Sequence, residues 1–299
     1  MAITSGNFAE HLWPGIAEIY GHTYNQWPEL FSQYMEIKTS TKRFEKAQNV
    51  TGFPLASIKT EGAGVNYVDP MQGPQTEYVM ETFAIGCMVT REMVDDEQYG
   101  YVNQLPELLA NSMRQSQETD AANVLNRAFN TAFTFADGLS LCNAAHVLTA
   151  GGTFRNQLAT PADLDQTSLE VALQDLKSEM VDDMGLRMLV QPRALIVPPA
   201  FMFRAIKLLG SPQVTGNADN DLNPLAGLNL RLIVNPFLTD TDAWFITTDV
   251  PNGLTWYWRL QPEFGRDNEF DTDNMKMKVV SRWDAGCTDV RGIFGTAGA

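Results

Sequence analysis

The chain has 299 residues, of which 44% are hydrophobic and 10% aromatic, and its formal net charge at pH 7 is −15. The length suits one large domain or two to three smaller lobes. The composition is that of a chain with a packed core rather than of a disordered chain. An acidic surface repels phosphate backbones, which argues against tight or sequence-specific nucleic-acid binding.

Targeting and redox signals are sparse. No apolar run reaches the roughly 18 residues that a membrane-spanning helix needs, so no membrane association is expected. The first twelve residues contain neither Lys nor Arg, so we expect no secretion signal and folding in the cytoplasm. The three cysteines, Cys87, Cys142 and Cys287, are far apart. This spacing predicts buried free thiols rather than disulfides or a structural zinc site.

Residues 1–44 are rich in aromatic side chains but form no obvious core unit of their own. A short helix interrupted by Pro14 is predicted over 8–20. The aromatic residues are Trp13, Tyr20, Tyr24, Trp27, Phe31, Tyr34 and Phe44. They either pack on the body of the chain or dock against another subunit, and the sequence leaves both alternatives open.

The segment 53–90 predicts one long hairpin. Its first arm comprises 55–60 and 65–68, with Gly62 and Gly64 as a bulge, and its second arm comprises 76–83. The turn formers of 69–74 would join the arms. At about 3.3 Å per residue, arms of about 15 residues reach on the order of 45–50 Å. Since a free two-stranded ribbon is marginal in water, such a hairpin must lie on another surface.

The remaining elements alternate helices with strands. The spacing of apolar residues predicts a long helix over 102–130 with Pro106 in its first turn, and a second helix that begins at Thr160. A buried strand at 194–197 precedes a helix at 200–209 that ends at Gly210, and a loop fills 211–226. Further strands are predicted at 228–234, 243–248, 254–260, 275–283 and 287–294. This order of elements indicates an α+β fold.

No group of residues has the spacing of a reactive site. Cys142 and His146 lie four apart, but no activating context accompanies them, so two unrelated loop residues are the favoured interpretation. Gly62-Ala63-Gly64 lacks the rest of a dinucleotide fingerprint, and the chain has no phosphate-binding loop motif. These observations favour a structural role over catalysis.

Acidic residues form three small clusters. The run 219–221 resembles the start of a calcium loop but lacks its glycine and terminal glutamate. The alternating acids are Asp267, Glu269, Asp271 and Asp273. Solvated turns explain both clusters better than a metal does, and Asp182-Asp183 is interpreted as a solvent-exposed helix end. We therefore assign no catalytic, cofactor-binding or metal-binding residue and expect no cofactor.

Three segments carry a resemblance to a known family. Residues 137–141 (Asp-Gly-Leu-Ser-Leu), followed by Ala-Ala-His at 144–146, resemble the Asp-Gly…Leu…His stretch of Mu-type phage major head subunits. Residues 151–157 continue this stretch, and 192–199 (Pro-Arg-Ala-Leu-Ile-Val-Pro-Pro) are similar to a later stretch that those proteins share. The order of elements also matches over nearly the whole chain.

The resemblance implies the Hong Kong 97-type capsid fold. Residues 1–44 would be the N-terminal arm and 45–90 the extended hairpin loop. The peripheral domain, with the long helix as its spine, would comprise 91–175 and 255–299, and the axial domain 176–254. The chain departs from some members in having no long, charged, helical N-terminal extension, and Lys59 in the hairpin gives no basis for a covalent crosslink.

The implied function is that of a major capsid protein, which forms hexamers and pentamers of an icosahedral shell around double-stranded DNA. An acidic inner wall would let DNA slide past it. The expected partners are other copies of the chain, a scaffold protein, a portal and decoration proteins, with assembly in the host cytoplasm. Trp13, Trp27, Tyr67 and Met71 are the predicted contacts between subunits. The alternatives are another phage assembly or decoration protein and, less favoured, an acidic metal-dependent hydrolase.

Overall fold

Two four-stranded sheets organise the fold in a computed structural model that describes residues 9–96, 100–213, 222–269 and 274–299. In these ranges the helices are α1 (Ala9–Gln26), α2 (Arg91–Asp95), α3 (Tyr101–Asn126), α4 (Gln166–Ser178) and α5 (Met202–Gly210). The strands are β1 (Glu36–Thr39), β2 (Phe44–Val50), β3 (Gln72–Val79), β4 (Glu81–Val89), β5 (His146–Val147), β6 (Thr153–Phe154), β7 (Pro192–Val197), β8 (Arg231–Val234), β9 (Trp244–Thr248), β10 (Leu254–Asn268), β11 (Met275–Cys287) and β12 (Ile293–Thr296).

The first sheet has the strand order β1–β10–β11–β4. β10 and β11 form a long antiparallel ribbon, which β1 extends in parallel and β4 extends in antiparallel orientation. Every second residue of β11 from Met275 to Trp283 is buried, because alternate side chains of a strand point to one face. On that face Trp256 and Trp283 are fully buried and stacked, with ring centroids 5.6 Å apart. Helix α3 packs against this sheet.

The second sheet has the strand order β12–β9–β7–β8. β7 is parallel to β8 and antiparallel to β9. Residues 194–197 and all of β9 are buried, as expected of central strands with apolar runs. The predicted helix after this strand is present as α5, whereas residues 214–221 of the predicted loop lie outside the described residues.

The segment 18–34 packs mainly on the chain's own body. The Arg114 guanidinium of α3 lies 3.9 Å from the centre of the Tyr24 ring and pairs with Glu29 at 2.8 Å. The Glu118 carboxylate accepts the backbone N–H groups of Leu30 and Phe31 at 2.8 and 3.1 Å. Of the two alternatives for the N-terminal aromatics, packing on the body therefore holds for Tyr20, Tyr24, Phe31 and Tyr34.

The predicted hairpin exists, but both its arms and its turn are placed differently. Its paired arms are β2 and β3, with Phe44 opposite Val79 and Val50 opposite Gln72. The tip is a turn in which the Ala63 N–H bonds the Thr60 carbonyl, and Gly62 adopts the left-handed φ of 80°. The predicted bulge residue Gly62 is thus the turn residue, and 69–74 leads from the loop back into β3. β4 leaves the hairpin and pairs with β11.

Two helix starts also differ from expectation. Helix α3 begins at Tyr101 after Gly100, so Pro106 lies in its second turn. Helix α4 begins after Asp165 rather than at Thr160. The Asp165 carboxylate accepts the Ser168 N–H, and the Ser168 hydroxyl accepts the Asp165 N–H. This reciprocal capping box satisfies two orphan donors at once, which a lone Thr160 cap cannot do.

Candidate assembly surface

The most exposed part of the described chain is a loop between β2 and β3. Every residue from 52 to 71, which we call the projecting loop, is exposed. Its ends are closed by Thr51, whose N–H and hydroxyl both bond the Met71 carbonyl at 3.1 Å, while the Met71 N–H bonds the Thr51 hydroxyl at 2.8 Å. The loop therefore stands away from the body on a defined neck.

The projecting loop contains many large apolar side chains, although the whole segment is exposed. Their exposed fractions are Phe53 58%, Leu55 78%, Ile58 96%, Val65 61%, Tyr67 90%, Val68 40% and Met71 43%. Burying one such side chain contributes roughly 1.5–3 kcal/mol. Several exposed large apolar side chains within one segment are typical of an interaction surface.

The root of the loop is anchored in the body. The Tyr78 ring of β3 is buried, its hydroxyl lies 2.7 Å from the Thr288 hydroxyl, and it packs on the Tyr257 ring. Gly286 makes room for this ring, since a Cβ there would lie 2.9 Å from the Tyr78 Cε1. Thr76 adds a hydrogen bond to the Cys287 carbonyl. Because the root is fixed, the point at which the loop leaves the body is fixed as well.

A buried ionic group lies below the neck. The Arg291 side chain is 6% exposed and donates to Asp183 at 2.8 Å, to Asp289 at 3.2 Å and to the Val181 carbonyl at 2.6 Å. The interpretation of Asp182-Asp183 as a solvent-exposed helix end is therefore wrong for Asp183, which is buried. Its partner Arg291 lies more than a hundred residues further along the chain, so sequence spacing does not predict the pair.

A second buried polar group explains the Asp-Gly…His stretch. The fully buried His146 ring has Nδ1 2.5 Å from the Asp137 carboxylate and Nε2 3.0 Å from Asn156 Oδ1. The Asn156 amide donates to the Leu141 and Val290 carbonyls, so Oδ1 is its acceptor end. Burial raises the pKa of Asp137, but the hydrogen bond and charge of His146 outweigh burial and leave that pKa lowered.

This arrangement does not support a reactive Cys142–His146 dyad, since the His146 nitrogens face Asp137 and Asn156. Burial raises the pKa of the Cys142 thiol, which disfavours the nucleophilic thiolate. All three cysteines are free, with Cys142 and Cys287 buried as predicted and Cys87 half-buried.

The predicted intersubunit residues fall into two groups. Trp27, Tyr67 and Met71 are exposed at 43%, 90% and 43%, and two of them belong to the projecting loop. The Trp13 side chain lies outside the described residues.

The acidic clusters of the sequence are described only in part. The run 219–221, Asp271 and Asp273 lie outside the described residues, while Glu269 pairs with Lys276 across the β10–β11 ribbon at 2.9 Å.

Sequence reasoning missed a cavity of about 500 Å³ between α3, β4, β11 and the segment 132–135. We call it the acidic–aromatic cavity. Its lining includes the four rings of Phe83, Phe133, Phe135 and Trp283 and the three carboxylates of Glu81, Asp120 and Asp284. Burial, together with the nearby charges of Asp120 and Glu81, raises the pKa of Asp284 to about 6. Because the three carboxylates are not all close in sequence, no sequence pattern predicts that they line one cavity.

Replacing Asp284 with Asn should stabilise the dissociated subunit. The folded pKa of about 6 lies above the ordinary aspartate pKa of 3.8, so ionisation at Asp284 opposes folding. That penalty is absent below about pH 4 and complete above about pH 6, where it amounts to roughly 2–3 kcal/mol. Urea unfolding should show a gain of about 2 kcal/mol at pH 8 and almost none at pH 4. The exposed Asp267→Asn serves as control, and an equal gain at both pH values would contradict this assignment.

No group of three or more His, Cys, Asp or Glu side chains is arranged to hold a metal ion in the described part of the chain. No described helix is long and apolar enough to cross a bilayer. The surface that stands out is therefore the projecting loop and its anchored root.

Comparison with known proteins gives both a family and similar solved structures. The family described as phage capsid protein matches residues 73–295. The capsid of a native GTA particle has a similar structure, with a TM-score of 0.59 at 13% identity over 91% of this chain and 90% of that one. A structure of Mycobacterium phage Che8 gives 0.55 at 11% identity over 90% and 92%. The procapsid of bacteriophage JBD30 gives 0.54 at 14% identity over 98% and 76%.

No curated protein matches the sequence significantly. The family match covers most of the chain, and the solved structures share its arrangement of helices and sheets across nearly its full length. The chain therefore belongs to the phage capsid protein family and has the Hong Kong 97-type capsid fold.

Proposed function

We propose that this capsid protein is the major shell subunit and assembles with copies of itself into hexamers and pentamers of an icosahedral shell around double-stranded DNA. The observation that carries this proposal is the projecting loop. It has twenty consecutive exposed residues on an anchored root and seven exposed large apolar side chains. An isolated subunit gains nothing from this surface, whereas an adjacent copy that covers it gains apolar burial at every contact.

The proposed domain division is the one that the family resemblance implies. Residues 1–44 act as an arm and 45–90 as the extended loop that lies over a neighbour. Residues 91–175 and 255–299, with α3 as spine, form the peripheral domain, and 176–254 form the axial domain near the centre of each hexamer or pentamer. Support comes from the two sheets, one built mainly from late strands with β1 and β4, the other centred on β7 and β9.

Among capsid proteins we propose a Mu-type head subunit. This proposal is supported by the Asp-Gly…His stretch of residues 137–146, in which Asp137 and His146 form one buried pair. Trp13, Trp27, Tyr67 and Met71 are the proposed contact residues. The net charge of −15 supports a shell wall to which DNA does not adhere. A separate scaffold, a portal and decoration proteins are the proposed partners, assembly takes place in the host cytoplasm, and the protein acts by assembling rather than by catalysis.

Electron microscopy of the purified chain, alone and coexpressed with its scaffold, tests this proposal. Closed shells are the expected result. Tubes or rings would point to another phage assembly protein, and the absence of particles under both conditions would contradict the proposal. A decoration protein would bind preformed shells without forming them. Stoichiometric metal with hydrolytic turnover would favour the acidic hydrolase.

A further inference from the structure

The acidic–aromatic cavity has more negative charge than its own subunit neutralises. Among its lining residues the single cation is Arg127, whose guanidinium lies 4.3 Å from the centre of the Phe133 ring. Asp120 accepts the Trp283 indole N–H at 2.8 Å, and Asp284 accepts the Ala285 N–H at 2.9 Å. Within the described residues, none of the three carboxylates forms a salt bridge with a lysine or arginine.

The walls of the cavity suit a long cationic side chain. Phe83 and Trp283 are stacked with ring centroids 3.9 Å apart, and Phe133 is 42% exposed at the opening. Aromatic faces attract ammonium groups, and an aliphatic stem packs favourably along the rings. Carboxylates beside such rings hold the ammonium group in place through charge-assisted hydrogen bonds.

The projecting loop carries a matching side chain. Lys59 is the single basic residue in 52–71 and precedes the turn at the loop tip. It follows Ile58, which is 96% exposed. In the described part of the chain Lys59 is exposed and forms no ion pair, so this cation stands at the far end of a segment that its own subunit does not cover.

We propose that Lys59 of one subunit inserts into the acidic–aromatic cavity of an adjacent copy, where its ammonium pairs with Glu81 and Asp284 while Ile58 packs against the aromatic rim. This inference rests on the proposed self-assembly and specifies where the loop docks. The occupant is a second copy because the cation Lys59 and its exposed apolar neighbour Ile58 both belong to this chain and complement the charge and the rings of the cavity.

The state of Asp284 fits an incoming cation. Its pKa is raised because burial and two neighbouring carboxylates disfavour its charge. Bringing an ammonium within a few ångströms reverses that effect, since an opposite charge favours the ionised carboxylate. The lone subunit therefore holds an unfavourable charge cluster that becomes favourable on docking.

Charge exchange tests the pairing in assembled particles. Lys59→Glu should lower the yield of closed shells at least tenfold, while Lys59→Arg should stay within twofold of wild type. Glu81→Lys should also lower the yield, and the double variant Lys59→Glu/Glu81→Lys should recover at least half of the wild-type yield. The control double variant Lys59→Glu/Glu263→Lys places the new lysine on an exposed site outside the cavity and should not recover. Circular dichroism of each subunit confirms that the variants fold.

Each outcome separates this inference from the proposed function. Shells of normal yield from Lys59→Glu, or equal recovery with Glu263→Lys, would overturn the inference and leave self-assembly standing. A defect of Lys59→Glu that appears only when scaffold is present, with no recovery by Glu81→Lys, would assign Lys59 to scaffold binding instead. Absence of shells from the wild-type chain with its scaffold would overturn both.

Discussion

Replacing residues 53–70 with a four-residue Gly/Ser turn should leave a folded subunit that forms no shells. Every residue from 52 to 71 is exposed, and Thr51 and Met71 already hold the loop ends together. The unfolding free energy should therefore stay within about 1 kcal/mol of wild type, with a small gain from the lower loop-closure entropy. Assembly should fail, because each docked loop loses apolar burial on the order of 10 kcal/mol. Urea unfolding and electron microscopy of the same sample measure the two effects.

A length-preserving control separates loop chemistry from loop length. The triple variant Ile58→Ser, Val65→Ser and Tyr67→Ser keeps the loop but removes three of its most exposed apolar side chains. It should reduce the shell yield strongly while leaving stability unchanged. Normal shells from the Gly/Ser variant would show that the projecting loop has no part in assembly.

Replacing Arg291 with Met should destabilise the subunit by about 3–5 kcal/mol. Arg291 is buried and holds Asp183 and Asp289 beneath the hairpin neck, and its guanidinium lies 4.6 Å from the centre of the Phe154 ring. Removing the cation leaves the buried Asp183 charge uncompensated and the Val181 carbonyl without its donor. Thermal unfolding of the dissociated subunit should show a Tm lower by roughly 10 °C.

The matched control is Lys46→Met, which removes a lysine paired with Glu77 at 3.4 Å where both side chains are about half exposed. Exposed pairs of this kind contribute at most about 1 kcal/mol, so the loss should be small. Adding Asp183→Asn to Arg291→Met should recover part of the lost stability, since the uncompensated charge is gone. If Arg291→Met lowered the unfolding free energy no more than Lys46→Met does, the ionic group would not stabilise the subunit beneath the neck.

Much of the fold was predictable because long, strongly patterned segments carry their own signal. Helix α3 and strand β7 appear where apolar spacing places them. The strand-rich C-terminal third is confirmed, although β10 runs to Asn268 and thus well beyond its predicted end at 260. Each of these elements buries one face or its whole length. Because buried positions are apolar, their spacing in the sequence predicts the element.

The hairpin shows why hydrophobic pattern fails where apolar side chains stay exposed in the subunit. Residues 55–68 have the apolar content of strands, but their apolar side chains find no cover within the subunit. The arm that pairs, β2, is polar and includes Glu45, Lys46 and Gln48. Strong apolar content thus coincides with the exposed segment rather than with the paired arm.

The site was only partly accessible from sequence. Tyr67 and Met71 were predicted as contacts because exposed aromatic and Met side chains anchor interfaces; both are exposed, and their role as contacts stays a prediction. The Arg291–Asp183 pair and the acidic–aromatic cavity join residues more than a hundred positions apart. No local spacing reports such pairs, because only the folded chain brings them together.

Hydrogen–deuterium exchange of residues 53–70, measured in assembled particles and in dissociated subunits, tests the central claim most directly. In the subunit the described backbone bond within this stretch is the single turn of Thr60 and Ala63, so exchange should be complete within seconds. When the loop is clamped across an adjacent copy, exchange should slow at least a hundredfold. Equally fast exchange in both states would contradict the account.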